Sequence, residues 1–399
     1  MRILIPHTRE LCYYSGTFFL DRIQEGLESR GAEVIRLEIP DDDFSCLEEY
    51  AGESFDAIID INSKLPRLID DEGRCFLDTV DAPFFNYLVD HPLYHHGGLA
   101  VGLARYHAIG VDRHHCRYMR EHYPGLLSVT CLPMGGTPAV AGIPFENRAF
   151  DFLFSGTYTP EEVLEERAFG VRSEHGESTY QLMRDLYDAW DPKKSSIEEA
   201  LEGLLSDISS VDGRSRHDLI TGEYEARDEA ELLNRLYIVD QMKRNELRVR
   251  TLTEAAACGY PLAIMGEGWE ETALAYGKNV MVLPPAVMEL SFEILTNAKC
   301  IIDIDPFFHC GMHDRVTSAL ANSCVCISDM SDEFDFELTD DRELIYYGRG
   351  RRSIGDAIRM VADRDAGELM EMAAAGHRRW EREYSWDVHV QKLMDIIKS

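Results

Sequence analysis

Short apolar runs alternate with amphipathic stretches along most of the chain, and this alternation leaves few architectures open. Arg2–Pro6, Glu33–Ile39, Phe55–Ile61, Pro83–Val89, Tyr106–Val111 and Ser128–Leu132 read as strands. Between them lie an amphipathic helix, Phe18–Arg30, closed by Gly31, a short acidic helix over Asp41–Tyr50, and a helix near Arg113–His122. Uninterrupted apolar runs suit strands buried on both faces, which is the condition of a parallel sheet covered by helices. The pattern therefore predicts a doubly wound α/β sheet. Ligands of such sheets bind beyond the C-terminal ends of the strands. The loops after Pro6, Ile61, Val89 and Leu132 are the places to look for a site.

Residues 133–149 are rich in glycine, proline and small side chains, which marks a boundary. Asp151–Phe154 opens a second set of elements and runs into Ser155-Gly156-Thr157-Tyr158-Thr159. The segment Glu161–Gly259 has no strand character and reads as several acidic helices. Strands then resume at Pro261–Met265, Val280–Leu283, Cys300–Ile304, Val325–Ser328 and Glu343–Tyr347, with helices over Ala286–Ala298 and Met312–Asn322. Gly367–Ser399 is mostly helical. The expectation is two Rossmann-like doubly wound α/β domains facing a cleft: residues 1–145, then residues 146–380 with a helical insertion over 160–259. A cleft between two such domains is a common small-ligand site.

Charge narrows the partners. The chain of 399 residues carries 40 Lys+Arg against 72 Asp+Glu, a net charge of −32. Nucleic acids and anionic membranes are bound by neutralising phosphates, so neither is an expected partner. No apolar run approaches the ~20 residues of a membrane span. The start, Met1 to Pro6, is too soon broken to read as a signal peptide. The ten cysteines form neither a CxxC pair nor a regular framework, which fits reduced thiols and a cytoplasmic protein. Cys324 and Cys326 alternate on one strand and read as core. His91, His95, His96, His107, His114 and His115 are dense, but their spacing is not a ligand pattern, and no metal is expected.

The chemically informative stretch is Cys300–Asp329, CIIDIDPFFHCGMHDRVTSALANSCVCISD. A strand ends near Asp305, a turn holds Pro306 and Gly311, and a helix starts near His313. Helix N-termini offer free N–H groups and partial positive charge to anions. Arg315 at that start can clamp a diphosphate, and Gly311 lets backbone come close to a ligand. A plain loop–helix junction carrying surface charges would have the same spacing.

The pattern PFFHxGMHxRVxxALxxxxVxISD resembles the donor-binding segment of GT-B glycosyltransferases, in particular the group-1-like family that includes the spore-coat maturation CgeB type. Asp151–Thr159 (DFLFSGTYT), Pro261–Trp269 (PLAIMGEGW) and Asn86–His96 (NYLVDHPLYHH), followed by Asp112, resemble family segments in the expected order. The resemblance implies a glycosyltransferase that moves a sugar from a nucleotide-diphosphate donor, UDP-linked by preference, to a glycan, lipid-linked or protein acceptor. It implies no metal and no other cofactor. It also implies that the 381–399 helix crosses back to the first domain. One departure stands out. Many retaining GT-B enzymes carry E-x(7)-E here, and Cys310 and Ser318 occupy those positions in this chain. The ribose contact is then sought elsewhere, at Asp329.

On this reading Gly311, Met312, His313, Arg315 and Phe308 bind the donor, with Ser155, Gly156 and Thr157 across the cleft and Gly266 and Trp269 along the base and sugar. The proton-accepting group is expected at Asp90-His91, with His7 as the second candidate. Asp90 as a cap and His91 or His7 as packing residues are the plainer alternatives. Tyr13-Tyr14 and Phe18-Phe19 stack an acceptor or pack a helix face. Gly348-Arg349-Gly350-Arg351-Arg352 reads as a solvated loop or a phosphate contact. An epimerase or hydrolase on the same fold, or a non-catalytic nucleotide-sugar-binding partner, is the alternative function. Homodimerisation stays open.

Overall fold

The computed structural model describes residues 1–39, 43–69, 72–304, 307–329, 338–348 and 350–399. Asp41, Asp305, Pro306 and Arg349 of the sequence reading lie outside them. Among the described residues, twelve strands form two six-stranded sheets. The first sheet is built from β1 (Arg2–His7), β2 (Glu33–Glu38), β3 (Ala57–Ile61), β4 (Phe84–Leu88), β5 (Tyr106–Gly110) and β6 (Ser128–Cys131), ordered β2-β1-β3-β4-β5-β6. The second is built from β7 (Phe150–Ser155), β8 (Leu262–Met265), β9 (Val280–Leu283), β10 (Ala298–Asp303), β11 (Val325–Asp329) and β12 (Ile345–Tyr347), ordered β12-β11-β10-β7-β8-β9. Every pairing within the two sheets is parallel. β3, β4 and β8 are buried at every position, which is why their sequences are unbroken apolar runs rather than alternating ones.

The helices are α1 (Ser15–Ser29), the single turn α2 (His96–Leu99), α3 (Arg113–His122), α4 (Glu161–Ala189), α5 (Ile197–Asp212), the short α6 (Arg216–Asp218), α7 (Glu229–Arg235), α8 (Ile238–Ala257), α9 (Met288–Leu295), α10 (Asp314–Ala321), α11 (Ile354–Ala362), α12 (Ala366–Glu383) and α13 (Trp386–Lys398). The expected helix over 41–50 is a 3-10 turn, Phe44–Tyr50, capped by Asp43. α4 to α8 form the insertion between β7 and β8. Ser196 and Glu199 close a capping box at α5, which satisfies two end donors reciprocally.

The chain crosses between the two sheets twice. Residues 133–139 run between α10 and the last two helices. A Cβ on Gly136 would lie 2.2 Å from the Thr317 carbonyl oxygen, and one on Gly135 2.7 Å from the Trp386 ring, so only glycine fits. Asn322 at the end of α10 pins this stretch, donating to Thr137 O (2.8 Å) and accepting from Ala139 N (2.8 Å). The Trp380 indole donates to Gly136 O at 3.0 Å. The chain then breaks at Tyr384, and α13 lies along α1 in the first domain. Val390 meets Gly26, where a Cβ would sit 2.5 Å from its Cγ2, and Arg30 pairs with Asp387 at 2.5 Å. Val390, Leu393 and Met394 join Phe18, Phe19 and Leu27 in one core. Phe18 and Phe19 are therefore packing residues, since each is about 5% exposed or less.

Candidate functional site

A cleft of about 800 Å³ opens where the C-terminal ends of both sheets face each other. Loops at those ends are drawn together by glycine. A Cβ on Gly266 (φ +145°) would stand 2.2 Å from the Gly156 carbonyl oxygen, and one on Gly268 (φ +82°) 2.4 Å from that of Tyr158. Backbone bonds then tie the loops after β7 and β8: Gly156 N to Met265 O and Tyr158 N to Glu267 O, both 2.9 Å. Ser155, Gly156, Thr157, Gly266, Phe308, Met312, His313 and Arg315 all line this cleft, and Asp90 faces them from the first domain. Asp90 follows β4 and is held by Asn62, whose Nδ2 donates to Asp90 Oδ2 at 2.8 Å. Asn62 in turn accepts from Val89 N (3.1 Å) and sits at a left-handed φ of +48°.

Five expected residues stand elsewhere. His91 turns inward: its Nδ1 accepts from Leu93 N (3.1 Å), its ring packs on His115 (4.5 Å between centroids), and its Nε2 lies 3.5 Å from Glu198 of α5. Glu198 also meets His114 at 3.3 Å. Burial pushes the Glu198 carboxyl up, but the two histidines outweigh it and hold the group well below the usual range. His91 thus fastens the helical insertion to the first domain. His7 sits beyond the β1–α1 loop, between Glu38 (2.7 Å) and the Arg9 carbonyl (3.0 Å). Trp269 is fully buried beneath the cleft and supports its floor, with Nε1 donating to Gly156 O at 2.5 Å. Gly311 faces Asp112 rather than the cleft; a Cβ there would come within 2.7 Å of Asp112 Cα. Asp329 ends β11 and does not reach the cleft wall.

Asp112 and Gly311 form the second tie between the domains. Asp112 Oδ1 caps α3 through His114 N (2.6 Å) and His115 N (3.0 Å), while Oδ2 accepts from Cys310 N (2.7 Å). His115 Nε2 donates to Phe307 O at 3.0 Å, adding a third hold on the same loop. The burial this requires lowers the His115 pKa to about 4.

The start of α10 carries charges of both signs. His313 caps it, accepting from Arg315 N (3.2 Å), and stands 2.7 Å from Asp314 Oδ1. Burial raises the Asp314 carboxyl, but His313 and Arg315 more than compensate and keep it ionised below its ordinary range. A carboxylate therefore already occupies the positive end of the helix. Arg315 forms a buried ion pair with Asp303, and its guanidinium lies 5.6 Å from the Phe154 ring centroid.

The helical insertion brings cations that the sequence reading did not single out. Arg244, Asn245 and Arg248 of α8 and Arg167 of α4 line the cleft. Arg248 donates to Thr157 O (2.9 Å), and its guanidinium lies 5.8 Å from the Phe154 ring, the same ring that Arg315 approaches. Asn245 makes a reciprocal pair with the Thr159 backbone, donating at 2.7 Å and accepting at 3.1 Å. The signal was available: Lys243, Arg244, Arg248 and Arg250 form a basic run in an acidic helical segment, and Arg244 and Arg248 share one helix face. Across the cleft, Tyr13 OH is 2.8 Å from Thr157 Oγ1. Exposed Glu267, Glu270 and Glu271 follow β8 and also line the cleft. Among the described residues no three His, Cys, Asp or Glu side chains are grouped as a metal ion would need, and no helix is long and apolar enough to cross a membrane.

Two parallel sheets that face each other across a ligand-sized cleft, joined by a linker and a returning C-terminal helix, define the GT-B architecture. Solved structures share it. An alpha-glucosyltransferase in complex with UDP and a 13-mer DNA containing an HMU base is 10% identical and matches over the full length of both chains, with a TM-score of 0.56. Sucrose-phosphate synthase of Thermosynechococcus elongatus is also 10% identical, over 100% of this chain and 98% of its own, with a TM-score of 0.55. HepE of Anabaena, solved with UDP and glucose, is 7% identical over 100% and 99%, with a TM-score of 0.53. Curated protein sequences gave no match. Residues 244–395 match the model of the family described as glycosyl transferase-like. The chain has the GT-B fold, and the part that matches the family model begins at the cleft arginine Arg244.

Proposed function

We propose that this protein transfers a sugar from a nucleoside-diphosphate sugar, UDP-linked, to a hydroxyl acceptor, with no metal ion taking part. The observation that carries the reading is the convergence of Arg244, Arg248 and Arg315 with the Ser155–Thr157 and Gly266 backbone on one wall of the cleft. Arg244 and Arg315 each also pair with one carboxylate, Asp240 and Asp303, and the three guanidinium groups still line the cleft, where they suit an anionic occupant. As the glycosidic bond breaks, negative charge moves onto the diphosphate. Fixed guanidinium and N–H donors stabilise that charge more than the ground state, which is what lowers the barrier. The carboxylates of Glu267, Glu270 and Glu271 accept from ribose and sugar hydroxyls, taking over from the absent E-x(7)-E pair. Asp90, oriented by Asn62, receives the acceptor hydroxyl proton. The division of labour is donor binding by residues 146–380 and acceptor binding by residues 1–145 with the last helix. UDP in two of the fold relatives makes it the first nucleotide to try.

The test is thermal shift and calorimetry with UDP, GDP, dTDP and CMP on wild type and on Arg244→Gln and Arg248→Gln. A charge-assisted hydrogen bond is worth roughly 1.5–3 kcal/mol, or about a 10- to 150-fold rise in Kd when removed. UDP binding lost by that factor supports the donor site, and Arg244→Gln should also lower the unliganded midpoint because it removes the cation beside buried Asp240. Sugar release measured with and without acceptor then separates transfer from hydrolysis. Absence of binding by every nucleotide at millimolar concentration overturns the reading.

A further inference from the structure

A second cavity, of about 1160 Å³, lies at the C-terminal ends of β1, β2 and β3 in the first domain. The β1–α1 loop separates it from the cleft, and two consecutive tyrosines serve the two sides. Tyr13 turns to the cleft and Thr157, whereas Tyr14, 63% exposed, lines the cavity. Both have left-handed backbones, φ +59° and +62°. Such a conformation is strained for a bulky residue and persists where a site has use for it.

The charges around the cavity are unequally committed. Glu38 is taken by His7 (2.7 Å) and Arg36 (2.8 Å). Glu10 is taken by the start of α1, accepting from Gly16 N (3.0 Å), Thr17 N (3.3 Å) and the Thr17 hydroxyl (2.5 Å). Arg9 and Arg67 are exposed on the rim, and neither forms an ion pair among the described residues. Thr8 and Thr17 add hydroxyls. An exposed aromatic face beside uncommitted guanidinium groups suits a sugar ring that carries an anionic substituent.

We propose that this cavity binds an anionic glycosyl unit of the acceptor, its carboxylate or phosphate held by Arg9 and Arg67 and its ring laid on Tyr14. The word acceptor rests on the glycosyl-transfer reading; the anionic-sugar site does not. The acidic residues Asp41, Asp42, Asp70 and Asp71, neighbours of the rim in sequence, lie outside the described residues.

Calorimetry with glucuronate, glucose 6-phosphate and glucose, each with and without saturating UDP, tests the proposal. The expected result is that at least one anionic probe binds tenfold or more tightly than glucose, and that UDP does not displace it. Glucuronate against glucose 6-phosphate tells carboxylate from phosphate. Arg9→Gln with Arg67→Gln should weaken the anionic probe tenfold or more, and Tyr14→Ala several-fold, with the UDP Kd within twofold of wild type. Equal binding of all three sugars, no binding, insensitivity to both variants, or displacement by UDP overturns the proposal. A protein that takes the anionic probe in this variant-sensitive way but binds no nucleotide overturns the donor reading and leaves this site standing.

Discussion

Asp112→Asn changes one atom type at the tie between the domains. The two carboxylate oxygens serve three N–H donors: His114 N and His115 N on Oδ1, and Cys310 N on Oδ2. Asparagine has one acceptor oxygen. Kept on the α3 cap, it turns its own NH2 against the Cys310 N–H in a site where Asp112 is fully buried. A charge-assisted bond worth about 1.5–3 kcal/mol is lost, and setting an NH2 against the half-buried Cys310 N–H adds about 1 kcal/mol. These overlap, so the expected loss is about 3 kcal/mol in urea unfolding, with m unchanged. The same loop carries Phe308 and leads to His313, so part of that energy is drawn on when a nucleotide binds. If about 1.4 kcal/mol of it is needed to re-order the loop, the UDP Kd rises about tenfold. Asp112→Ser keeps the same one duty: serine is an equally good cap but is too short to reach Cys310. It should lose about as much stability as asparagine and weaken UDP likewise. Asparagine within 0.5 kcal/mol of wild type, or a serine variant with unchanged UDP affinity, would refute the reasoning.

Other predictions are simpler. Gly266→Ala should destabilise by about 3 kcal/mol and abolish nucleotide binding, because its Cβ would meet Gly156 O at 2.2 Å with a φ of +145°; a soluble variant that binds UDP normally counts against the loop contact. Donor turnover should survive EDTA undiminished, whereas loss restored by Mg²⁺ or Mn²⁺ would show that arginines do not replace a metal. His115 and His389 are held near pKa 4 by burial, so both states are neutral above pH 6.5, and the unfolded chain alone takes up protons as the pH falls from about 6.5 to 4. Stability, read as the urea midpoint, should fall across that window. Asp60 has the opposite sign: burial raises it to about 6, so its stability is present below about pH 4 and is lost as the pH rises through 6. Asp60→Asn should therefore flatten the loss of stability between pH 4 and 7, and an unchanged slope there would show that the side chain stays neutral.

The fold was legible because its strands are buried on both faces, so Phe55–Ile61 and Pro83–Val89 could not alternate and announced a parallel sheet. The cleft position followed from strand direction alone. Individual roles were harder. His91 follows β4 just as Asp90 does, but the group that draws it inward, Glu198, lies in a helix about a hundred residues further on, and no local pattern encodes that pairing. Trp269 follows a glycine loop as a ligand-stacking residue would, yet the hollow beneath the loop is filled by its own ring. Arg244 and Arg248 were not singled out because an acidic helical segment carries many charged residues. Only the packing of α8 against the Ser155–Thr159 loop turns them toward the cleft.

The contact between α1 and α13 also bears on synthesis. Arg30 and Asp387 are separated by 357 positions in the chain. At about 5–20 residues per second, roughly 20–70 s pass between the appearance of the first helix and that of its cover. Throughout that interval the strip of α1 that faces Val390 and Leu393 has no partner. The first domain to leave the ribosome is thus the later of the two to be completed, and nascent chains are expected to need a chaperone at this helix.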